Sequence, residues 1–427
     1  MIPFNRRQFF SGASGLAVTG ASLALGASVS HAATPDIDKA MPTEFWDHIS
    51  AGYDRNDSIV NLEHGYWTEM PISVRKAFEA HTMRINRDGS YYARRQWHDD
   101  KAGVEARLAG YLGCKPSEVA LTRNASEALQ ALIGGYLPLG SGDAVLYADL
   151  DYGSVKQNFE TLAQKRGARV IKIDLPEPAT HDNVVAAYVQ AMNDHPNIKY
   201  MVLTHVSNQT GLVVPVKEII KVAKSRGVDV VVDAAHSWGQ IDFDLKDLGA
   251  DFVAFNLHKW IEAPLGVGFL YINEDRLTDI ARNMSQGPSK TPKTSDRIYY
   301  GTMNFATVLT VHDALDYNDR VGWGRKAKRL KTMRDIWAEP ARAIQGIEVL
   351  TPSDPRMSAG ITSFRLTGQK TFEENEATVE RLLSEFGIFT VARKAPAKGA
   401  CIRVTPSLSN SPEDCDRLYN ALRNILS

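Results

Sequence analysis

The stretch Val230-Val231-Val232-Asp233-Ala234-Ala235-His236 is an apolar run that ends in a carboxylate. A second apolar run, Phe252-Val253-Ala254-Phe255, leads into Asn256-Leu257-His258-Lys259-Trp260. Short β-branched and aromatic runs of this kind predict buried strands of a parallel sheet. Because ligands of such sheets gather at the carboxyl ends of the strands, we expect Asp233 and Lys259 to lie together there.

Four similar runs upstream alternate with helical stretches, at residues 119–122, 144–147, 170–173 and 200–203. This alternation predicts an α/β fold whose sheet is largely parallel and covered by helices on both faces. After about Leu309 the pattern changes to a long charged helical stretch over residues 320–345 and then to apolar runs at 361–364, 388–391 and 401–404. The change predicts a large cofactor-binding domain over residues 59–309 and a smaller α+β domain over residues 310–427.

The charge balance of the chain is close to neutral. Its 427 residues carry 49 Lys+Arg against 50 Asp+Glu. No broad positive field therefore favours nucleic acid, and we expect a small-molecule partner. The three cysteines, Cys114, Cys401 and Cys415, are too scattered for a disulfide framework or a zinc site, and no metal site is expected.

Residues 1–32 have the features of an export signal. Arg6 and Arg7 are followed by two phenylalanines, a weakly apolar run over residues 12–29 and the step Ser30-His31-Ala32. This pattern resembles a twin-arginine signal peptide cleaved after Ala32, which predicts export in folded form by the twin-arginine machinery to the periplasm, with no membrane attachment after cleavage. A retained anchor or a chance basic start are the alternatives. Residues 33–58 read as an acidic, turn-rich segment that packs on one of the domains.

A lysine and a carboxylate at neighbouring strand ends suit one particular chemistry. Burial lowers the pKa of an amine and frees its lone pair for attack on a carbonyl carbon. Pyridoxal 5'-phosphate requires such a lysine for a Schiff base, together with an anionic partner for its pyridine nitrogen. Lys259 and Asp233 supply this pair, although Asp233 alone also fits an ordinary helix cap.

Residues 121–129 run from a strand into a helix and offer a site for the phosphate of this cofactor. The backbone amides of Ala125 and Ser126, the Ser126 hydroxyl and the helix dipole can cradle an anion. An ordinary N-cap built on Asn124 would give the same pattern.

Six motifs occur together in one order along the chain: T-R-N-A-S-E-A from Thr122, H-V-S-N-Q-T-G from His205, V-D-A-A-H-S from Val232, N-L-H-K-W-x-x-x-P-x-G-x-G-F-L-Y from Asn256, G-T-M-N from Gly301 and I-R-V-T-P-S from Ile402. The set resembles the class V aminotransferase family of fold-type I pyridoxal-phosphate enzymes, over roughly residues 59–407. In motif detail it is most similar to the isopenicillin N epimerase-like branch, with Asn256 where cysteine desulfurases usually have serine. The resemblance implies a mostly parallel seven-stranded sheet in the large domain.

The resemblance also implies a role for each matching residue. Lys259 would form the Schiff base and then move the substrate α-proton, while Asp233 would keep the pyridine nitrogen protonated. Asn208 and His236 would hydrogen-bond the 3-oxygen of the cofactor. Tyr152 would stack on its ring, unless it is simply a half-buried loop tyrosine.

Four further residues complete the implied site. Ser126 and His258 would bind the phosphate, and Thr302 would do so from the neighbouring subunit, which implies a homodimer with shared active sites. Arg403 would hold the substrate α-carboxylate in a bidentate pair, although an arginine in a C-terminal strand is more often a surface residue.

The chain departs from the family pattern at Glu63, where an asparagine is common. A carboxylate there would repel the substrate acid near Arg403 unless it points elsewhere, so the substrate is left open. Residues 389–400 contain no cysteine that could serve as the mobile nucleophile of a desulfurase, and Cys401 is expected to be a packing residue. Cys114 and Cys415 are likewise interpreted as structural.

Residues 84–97 form a basic, aromatic stretch with two interpretations. Its side chains include Arg84, Arg87, Tyr91, Tyr92, Arg94, Arg95 and Trp97. They would either rim the active site and receive a bulky anionic ligand, or form a solvated loop at a dimer interface.

An export signal on a cofactor enzyme of this family resembles the periplasmic enzymes that tailor the glutamate side chain of pyoverdine siderophores. The expected substrate is then a glutamyl amine on a peptide-siderophore precursor, converted to a succinyl-type acid or amide. The alternatives are a periplasmic aminotransferase, epimerase or lyase for a free amino acid, and a catalytically inactive binding protein on the same fold.

Overall fold

The computed structural model describes residues 41–426. The strands are β1 (Val60–Asn61), β2 (Val119–Thr122), β3 (Ala144–Ala148), β4 (Arg169–Ile173), β5 (Ile198–Thr204), β6 (Asp229–Asp233), β7 (Phe252–Asn256), β8 (Gly268–Ile272), β9 (Ile347–Val349), β10 (Thr362–Leu366), β11 (Ile388–Phe389), β12 (Val391–Arg393) and β13 (Cys401–Val404). The α-helices are α1 (Thr43–Ser50), α2 (Ile72–Arg95), α3 (Trp97–Leu112), α4 (Ala125–Gly134), α5 (Gly153–Arg166), α6 (His181–Asp194), α7 (Val216–Ser225), α8 (Leu245–Leu248), α9 (Phe305–Val321), α10 (Trp323–Ala341), α11 (Phe372–Phe386) and α12 (Pro412–Leu426). Three short 3₁₀ helices cover Pro116–Glu118, Glu274–Asp279 and Thr294–Arg297.

The large domain is built on a seven-stranded sheet in the order β2-β8-β7-β6-β5-β3-β4. β8 pairs antiparallel with both β2 and β7, while the pairs from β7 to β4 are parallel. The expected mostly parallel seven-stranded sheet is confirmed. The apolar runs named above supply six of its strands, and β8 is the seventh.

Alternate residues of the strands face two different hydrophobic cores. In β6, Val231 packs into the core beneath α4 and α5, while Val230 and Val232 belong to the core on the opposite face. Burial on both faces explains why the strand reads as a continuous apolar run. The register aligns Asp233 with Thr204 on one side and Ala254 on the other, at the carboxyl end of the sheet.

The small domain has its own core around a four-stranded antiparallel sheet, in the order β12-β13-β10-β9. Helices α10, α11 and α12 pack on it, which agrees with the expected α+β architecture. The observed limits of the two domains, however, differ from the expected ones. The boundary drawn after Leu309 falls inside α9, whose buried residues join the large core. Val60 and Leu62 belong to the small core, because β1 pairs with β11.

The charged helical stretch expected over residues 320–345 is confirmed as α10, but its bounds are narrower. Gly322, with φ of 88°, separates α9 from α10, and the helix ends at Ala341. A left-handed residue cannot continue a right-handed helix, and glycine adopts this conformation without a Cβ clash.

Residues 84–97 are helical rather than a loop. They form the second half of α2, which bends at Gly89 (φ 54°, ψ −140°), and the start of α3. The N-terminal segment begins with α1, and Tyr53 is buried against the large domain, where its hydroxyl donates to Glu262 Oε2 at 2.8 Å. Residues 1–32, expected to be a signal peptide, lie outside the described residues. Between residues 41 and 426, no helix has the length and apolar character needed to cross a membrane.

Candidate active site

A cavity of about 370 Å³ lies at the carboxyl end of the large sheet. It brings together nine of the ten residues expected in the site: Ala125, Ser126, Tyr152, Asn208, Asp233, His236, His258, Lys259 and Arg403. Thr302, the tenth, is exposed just before α9 and does not line the cavity of its own chain. Its role in a neighbouring subunit therefore stays a prediction.

Asp233 is the last residue of β6 and is buried at the floor of the cavity. One carboxylate oxygen accepts the backbone N–H of Ala235 at 3.0 Å, and the other has no partner among the described residues. Burial raises the pKa of Asp233, while the Ala235 amide and nearby Lys259 oppose the rise. A buried carboxylate with one free oxygen is suited to accept a charged N–H from a ligand.

Lys259 follows β7 and points into the same cavity. Burial lowers its pKa to about 7, Arg403 and Arg393 act in the same direction, and Asp233 opposes them. Its Nζ lies 2.9 Å from Nε2 of His236. A substantial fraction of this lysine is therefore the nucleophilic free amine near neutral pH.

The N-terminus of α4 faces the cavity, but its donors differ from the expected set. The Ala125 N–H, predicted to cradle phosphate, donates to Asn256 Oδ1 at 2.8 Å. The Asn124 side chain caps the helix by accepting the Glu127 N–H. Ser126 is left with its hydroxyl and backbone N–H free of partners within residues 41–426, so Ser126 and the Asn256 amide supply the donors at this end.

His258 also lines this end of the cavity. Its Nδ1 lies 3.2 Å from the carbonyl oxygen of Val267, to which it must donate. Burial lowers the pKa of His258 to about 4, with Lys259 contributing, so the ring is neutral and presents the Nε2 lone pair to the cavity. An anion bound here must supply a proton to Nε2 or recruit one from solvent.

Arg403 in β13 is fully buried and is not free to bind a substrate. Its guanidinium forms an ion pair with Glu63 and donates to the carbonyl oxygen of Asn208 at 2.9 Å. A Cβ on Gly65 would approach the Arg403 Cζ to 2.6 Å, so this glycine lets the guanidinium pack against the backbone. Glu63 therefore occupies a position on Arg403 that the family resemblance assigns to the substrate α-carboxylate.

Arg393, which the sequence analysis did not identify, lines the cavity from β12. Its Nε is buried, and the guanidinium has no hydrogen-bond partner among the described residues. Burial lowers its pKa to about 10, and Arg403 adds to this effect. A desolvated, unpaired guanidinium inside a cavity is a strong candidate receptor for a carboxylate. In the sequence, no feature of Val391-Ala392-Arg393-Lys394 distinguishes Arg393 from an ordinary surface arginine.

Tyr152 stands at the cavity mouth with its ring about half exposed. The preceding residue, Asp151, is buried and accepts the Thr204 hydroxyl at 2.6 Å and the Ala148 amide at 2.7 Å. Burial raises the pKa of Asp151 to about 7, with Asp233 contributing. Asp151 thus ties the end of β3 to the end of β5 and sets the position of the tyrosine.

The rest of the mouth is aromatic, apolar and charged. Tyr66 and Leu265 are exposed at its rim, where the Arg123 guanidinium forms an ion pair with Glu127. Residues 84–97 do not line the cavity of this chain. Tyr92 and Trp97 from this stretch instead pack on Phe305 at the start of α9.

A buried cluster behind the cavity holds the loop that carries Lys259. Lys326 in α10 donates to the Trp260 carbonyl at 2.6 Å, to Glu262 at 2.7 Å and to Asn318 at 2.9 Å. Glu262, with φ of 63°, is the one non-glycine residue in the described chain with a left-handed backbone. Such a conformation persists only where its surroundings hold it in place.

The three cysteines are buried or half-buried and free, as the sequence analysis expected. The Cys401 thiol contacts the Gln209 carbonyl, and burial raises its pKa to about 11. Burial likewise raises the pKa of Cys114 to about 12 and that of Cys415. All three are protonated at neutral pH and have a packing role.

The polar groups of the cavity fit pyridoxal phosphate. The side-chain amide of Asn208 has no partner among the described residues, so its N–H can donate to the 3-oxygen. Asp233 has a free oxygen, and Ser126 lies in the first turn of a helix that faces the cavity. With Lys259 as a free amine, this donor and acceptor set matches the 3-oxygen, the pyridine nitrogen, the phosphate and the carbonyl carbon of the cofactor. The volume also lies in the range of small-molecule sites.

Sequence comparison identifies relatives across most of the chain. The family model described as aminotransferase class-V matches residues 73–418. Isopenicillin N epimerase of Amycolatopsis lactamdurans is 30% identical over 338 residues, which cover 75% of this chain and 83% of that protein.

Solved structures share the fold. The cysteine desulfurase CsdA from Escherichia coli matches with a TM-score of 0.75 at 20% identity, covering 91% of this chain and 99% of that one. A C-DES variant with glycine covalently linked to its pyridoxal-phosphate cofactor matches with a TM-score of 0.73 at 22% identity, covering 86% and 96%. The architecture is that of fold-type I pyridoxal-phosphate enzymes.

Proposed function

The chain belongs to the aminotransferase class-V family of pyridoxal-phosphate enzymes, and from this premise we propose that it acts on the α-amino group of a glutamyl residue carried by a pyoverdine-type siderophore precursor. The product would be a succinyl-type acid or amide, and dioxygen is proposed as the oxidant that this conversion requires. With one dioxygen per glutamyl group, the α-carboxyl carbon leaves as carbon dioxide; the acid is formed with release of ammonia, and the amide with release of water. The observation that carries the proposal is the cavity itself. It combines Lys259, whose pKa burial lowers to about 7, with tyrosines at the mouth and the unpaired Arg393.

Different residues of the cavity would bind different groups of the cofactor. Ser126, Asn256 and His258 would hold its phosphate, and Asp233 would accept the proton of its pyridine nitrogen. When bound, the cofactor supplies an electron-withdrawing ring that stabilises negative charge at the substrate α-carbon. Lys259 would be the base that takes and returns the proton at that carbon.

The mouth of the cavity suits a substrate larger than a free amino acid. Tyr66 and Tyr152 offer aromatic faces to a chromophore, and the unpaired Arg393 offers positive charge to its acidic groups. Because Glu63 already occupies Arg403, Arg393 would receive the glutamyl carboxylate.

Product analysis tests this proposal. The holoenzyme is incubated with a glutamate-bearing siderophore precursor and, separately, with free amino acids, in air and without oxygen, and products are identified by mass. A mass change in the precursor that is lost in Lys259→Ala supports the proposal. Consumption of free amino acids alone would overturn it.

We also propose that the enzyme is exported by the twin-arginine route and works in the periplasm. The support is the sequence of residues 1–32, where Arg6 and Arg7 precede a weakly apolar run. In Arg6→Lys/Arg7→Lys the protein should stay in the cytoplasm. Unchanged export of that variant would contradict the twin-arginine interpretation.

A homodimer with shared sites is a further part of the proposal. Thr302 is exposed and is absent from the cavity of its own chain, which fits a role in a second copy. Thr302→Val should weaken cofactor binding in the dimer without changing the fold. A monomer in solution would rule this arrangement out.

The second candidate is an epimerase of a small amino-acid substrate, favoured by the similarity to isopenicillin N epimerase. The same lysine could return the α-proton to the opposite face of the carbon. Exchange of the α-hydrogen of a free amino acid with deuterated solvent, with no loss of the amine, would favour this candidate.

A further inference from the structure

A chain of two hydrogen bonds runs from Trp260 through His236 to Lys259. The Trp260 Nε1 lies 3.1 Å from His236 Nδ1, and His236 Nε2 lies 2.9 Å from Lys259 Nζ. Trp260 and His236 are both buried, with the indole nearly inaccessible to solvent. Water therefore does not compete for the hydrogen bond between Trp260 and His236.

The direction of each hydrogen bond follows from the chemistry of the three groups. An indole N–H is only a donor, so His236 Nδ1 must be the acceptor and carry the lone pair. Burial lowers the pKa of His236 well below its usual range, with Lys259 contributing, so the ring is neutral and its one proton is on Nε2. His236 Nε2–H then donates to Lys259 Nζ, which can accept only as an uncharged amine.

We propose that Trp260 is a positioning residue that fixes the tautomer of His236 and thereby holds Lys259 as a free amine aimed at the cofactor site. This rests on the proposed function only in taking Lys259 as the reactive lysine. Trp260 acts through His236 and does not line the cavity itself.

The surroundings of Trp260 hold the indole in place. Its carbonyl oxygen accepts from the buried ammonium of Lys326 at 2.6 Å. A Cβ on Gly239 would come within 2.4 Å of that same oxygen, so only glycine fits there. With its backbone clamped, the indole has little freedom to turn its N–H away from His236.

Other charges also act on Lys259 and must be separated from the effect of Trp260. The groups that face it are Asp233 from β6, Arg393 from β12, Arg403 from β13 and Glu63 after β1, together with the neighbouring His258. None of them contacts the Trp260 indole through a hydrogen bond in the described chain. Replacing the indole therefore leaves these charges unchanged.

The test variant is Trp260→Phe, which keeps an aromatic ring and removes the N–H. Without that donor, His236 can place its proton on Nδ1 and offer the Nε2 lone pair to a Lys259 ammonium. The charged lysine is then favoured. The matched control is Trp337→Phe in the small domain, since the Trp337 indole is also buried and its Nε1 has no partner among the described residues.

The first readout is the rate at which the cofactor-free full chain reacts with added pyridoxal phosphate, followed by absorbance with Lys259→Ala as the blank. In Trp260→Phe the rate at pH 7 should fall at least about threefold, and its pH dependence should move to higher pH. Trp337→Phe should react like the wild type. A Trp260→Phe variant that reacts at the wild-type rate at every pH would overturn the proposal.

The second readout keeps the proposal testable if Trp260→Phe does not fold. Nitrogen-15 NMR of histidine-labelled wild-type chain, assigned with His236→Asn, should show His236 protonated at Nε2. Protonation at Nδ1 would refute the proposal. Neither readout involves substrate, so a wrong substrate assignment and a wrong role for Trp260 give different results.

Discussion

The carboxylate of Glu63 forms an ion pair with the guanidinium of Arg403 at the wall of the cavity, and both side chains are nearly inaccessible to solvent. The pair is held by the fold, because Glu63 bridges to Thr405, two residues beyond Arg403. An internal carboxylate thus occupies an arginine that the family resemblance assigns to the substrate.

Glu63→Gln should free Arg403 for an external carboxylate. Because a charge-assisted hydrogen bond contributes about 1.5–3 kcal/mol, the KM for small free α-amino acids should fall about tenfold or more. Steady-state kinetics with a series of amino acids measures this change. Glu69→Gln, which alters a nearby carboxylate paired with His64, is the control and should leave KM unchanged. A higher KM in Glu63→Gln would mean that Glu63 itself contacts the substrate.

Asn256 determines which donors are available where α4 faces the cavity, at the proposed phosphate site. In Asn256→Asp, a carboxylate would face the phosphate, and like charges a few ångströms apart repel by about 1–4 kcal/mol, so cofactor affinity should fall at least tenfold. Asn256→Ser would release the Ala125 N–H and should stay within about threefold of wild type, since one donor replaces another.

Equilibrium dialysis of the cofactor measures both variants. Asn197→Asp serves as the control. It makes the same change just before the start of β5, at the amino ends of the parallel strands and away from the cavity. If Asn256→Asp binds the cofactor normally, the phosphate does not approach this side chain.

The Asn256 contact illustrates what the sequence could and could not predict. Asp233 and Lys259 were predictable because continuous apolar runs mark parallel strands, and parallel strands end at one edge. The bond from Ala125 to Asn256 joins residues 131 positions apart, and no local pattern encodes it. The pattern around Asn124 was compatible with both a cap and an anion site, and the structure contains the cap.

The proposed carboxylate receptor, Arg393, could not be predicted from the sequence for a related reason. Arg403 belongs to a recognisable motif, whereas Arg393 lies in a short strand whose sequence resembles an exposed edge. Only the fold shows that Arg403 is already paired with Glu63 and that Arg393 is buried without a partner. Pairing of side chains is a tertiary property, so a motif predicts the presence of a group but not its availability.

His258 makes the binding of a phosphate ligand dependent on pH. Without a bound ligand, burial lowers the pKa of His258 to about 4. A phosphate beside the ring would raise this pKa, because its negative charge favours the imidazolium. Binding is then coupled to proton uptake, and affinity should increase as pH falls from 8 towards 6. Calorimetry with pyridoxamine phosphate, in buffers of different ionisation enthalpy, measures the uptake without any reaction at Lys259.

The phosphate group itself titrates in this range, so a control is needed. His258→Asn keeps a polar side chain and should lose the part of the proton uptake that comes from the imidazole. Identical proton uptake in His258→Asn and wild type would show that His258 stays neutral when the ligand binds.

The buried pair of Lys326 and Glu262 should contribute to both stability and the site. Lys326→Met would leave the Glu262 carboxylate without its cationic partner, with only the Tyr53 hydroxyl as a donor, and the Trp260 carbonyl without the Lys326 ammonium. Breaking such a buried pair costs about 3–5 kcal/mol. Urea unfolding should therefore shift strongly, whereas Lys331→Met on the same helix should change the free energy of unfolding by less than about 0.5 kcal/mol.

The double variant Lys326→Met/Glu262→Gln separates the effect of the Glu262 charge from that of the hydrogen bond between Lys326 and the Trp260 carbonyl. If the penalty comes from an uncompensated carboxylate, removing that charge should recover part of the lost stability, because a neutral pair needs less solvation. The recovered protein should still lack the clamp on the Trp260 carbonyl, so its reaction with pyridoxal phosphate should stay slower than that of wild type. Full recovery of both stability and reaction rate would mean that the Glu262 charge, rather than the bond to Trp260, is what couples this cluster to Lys259.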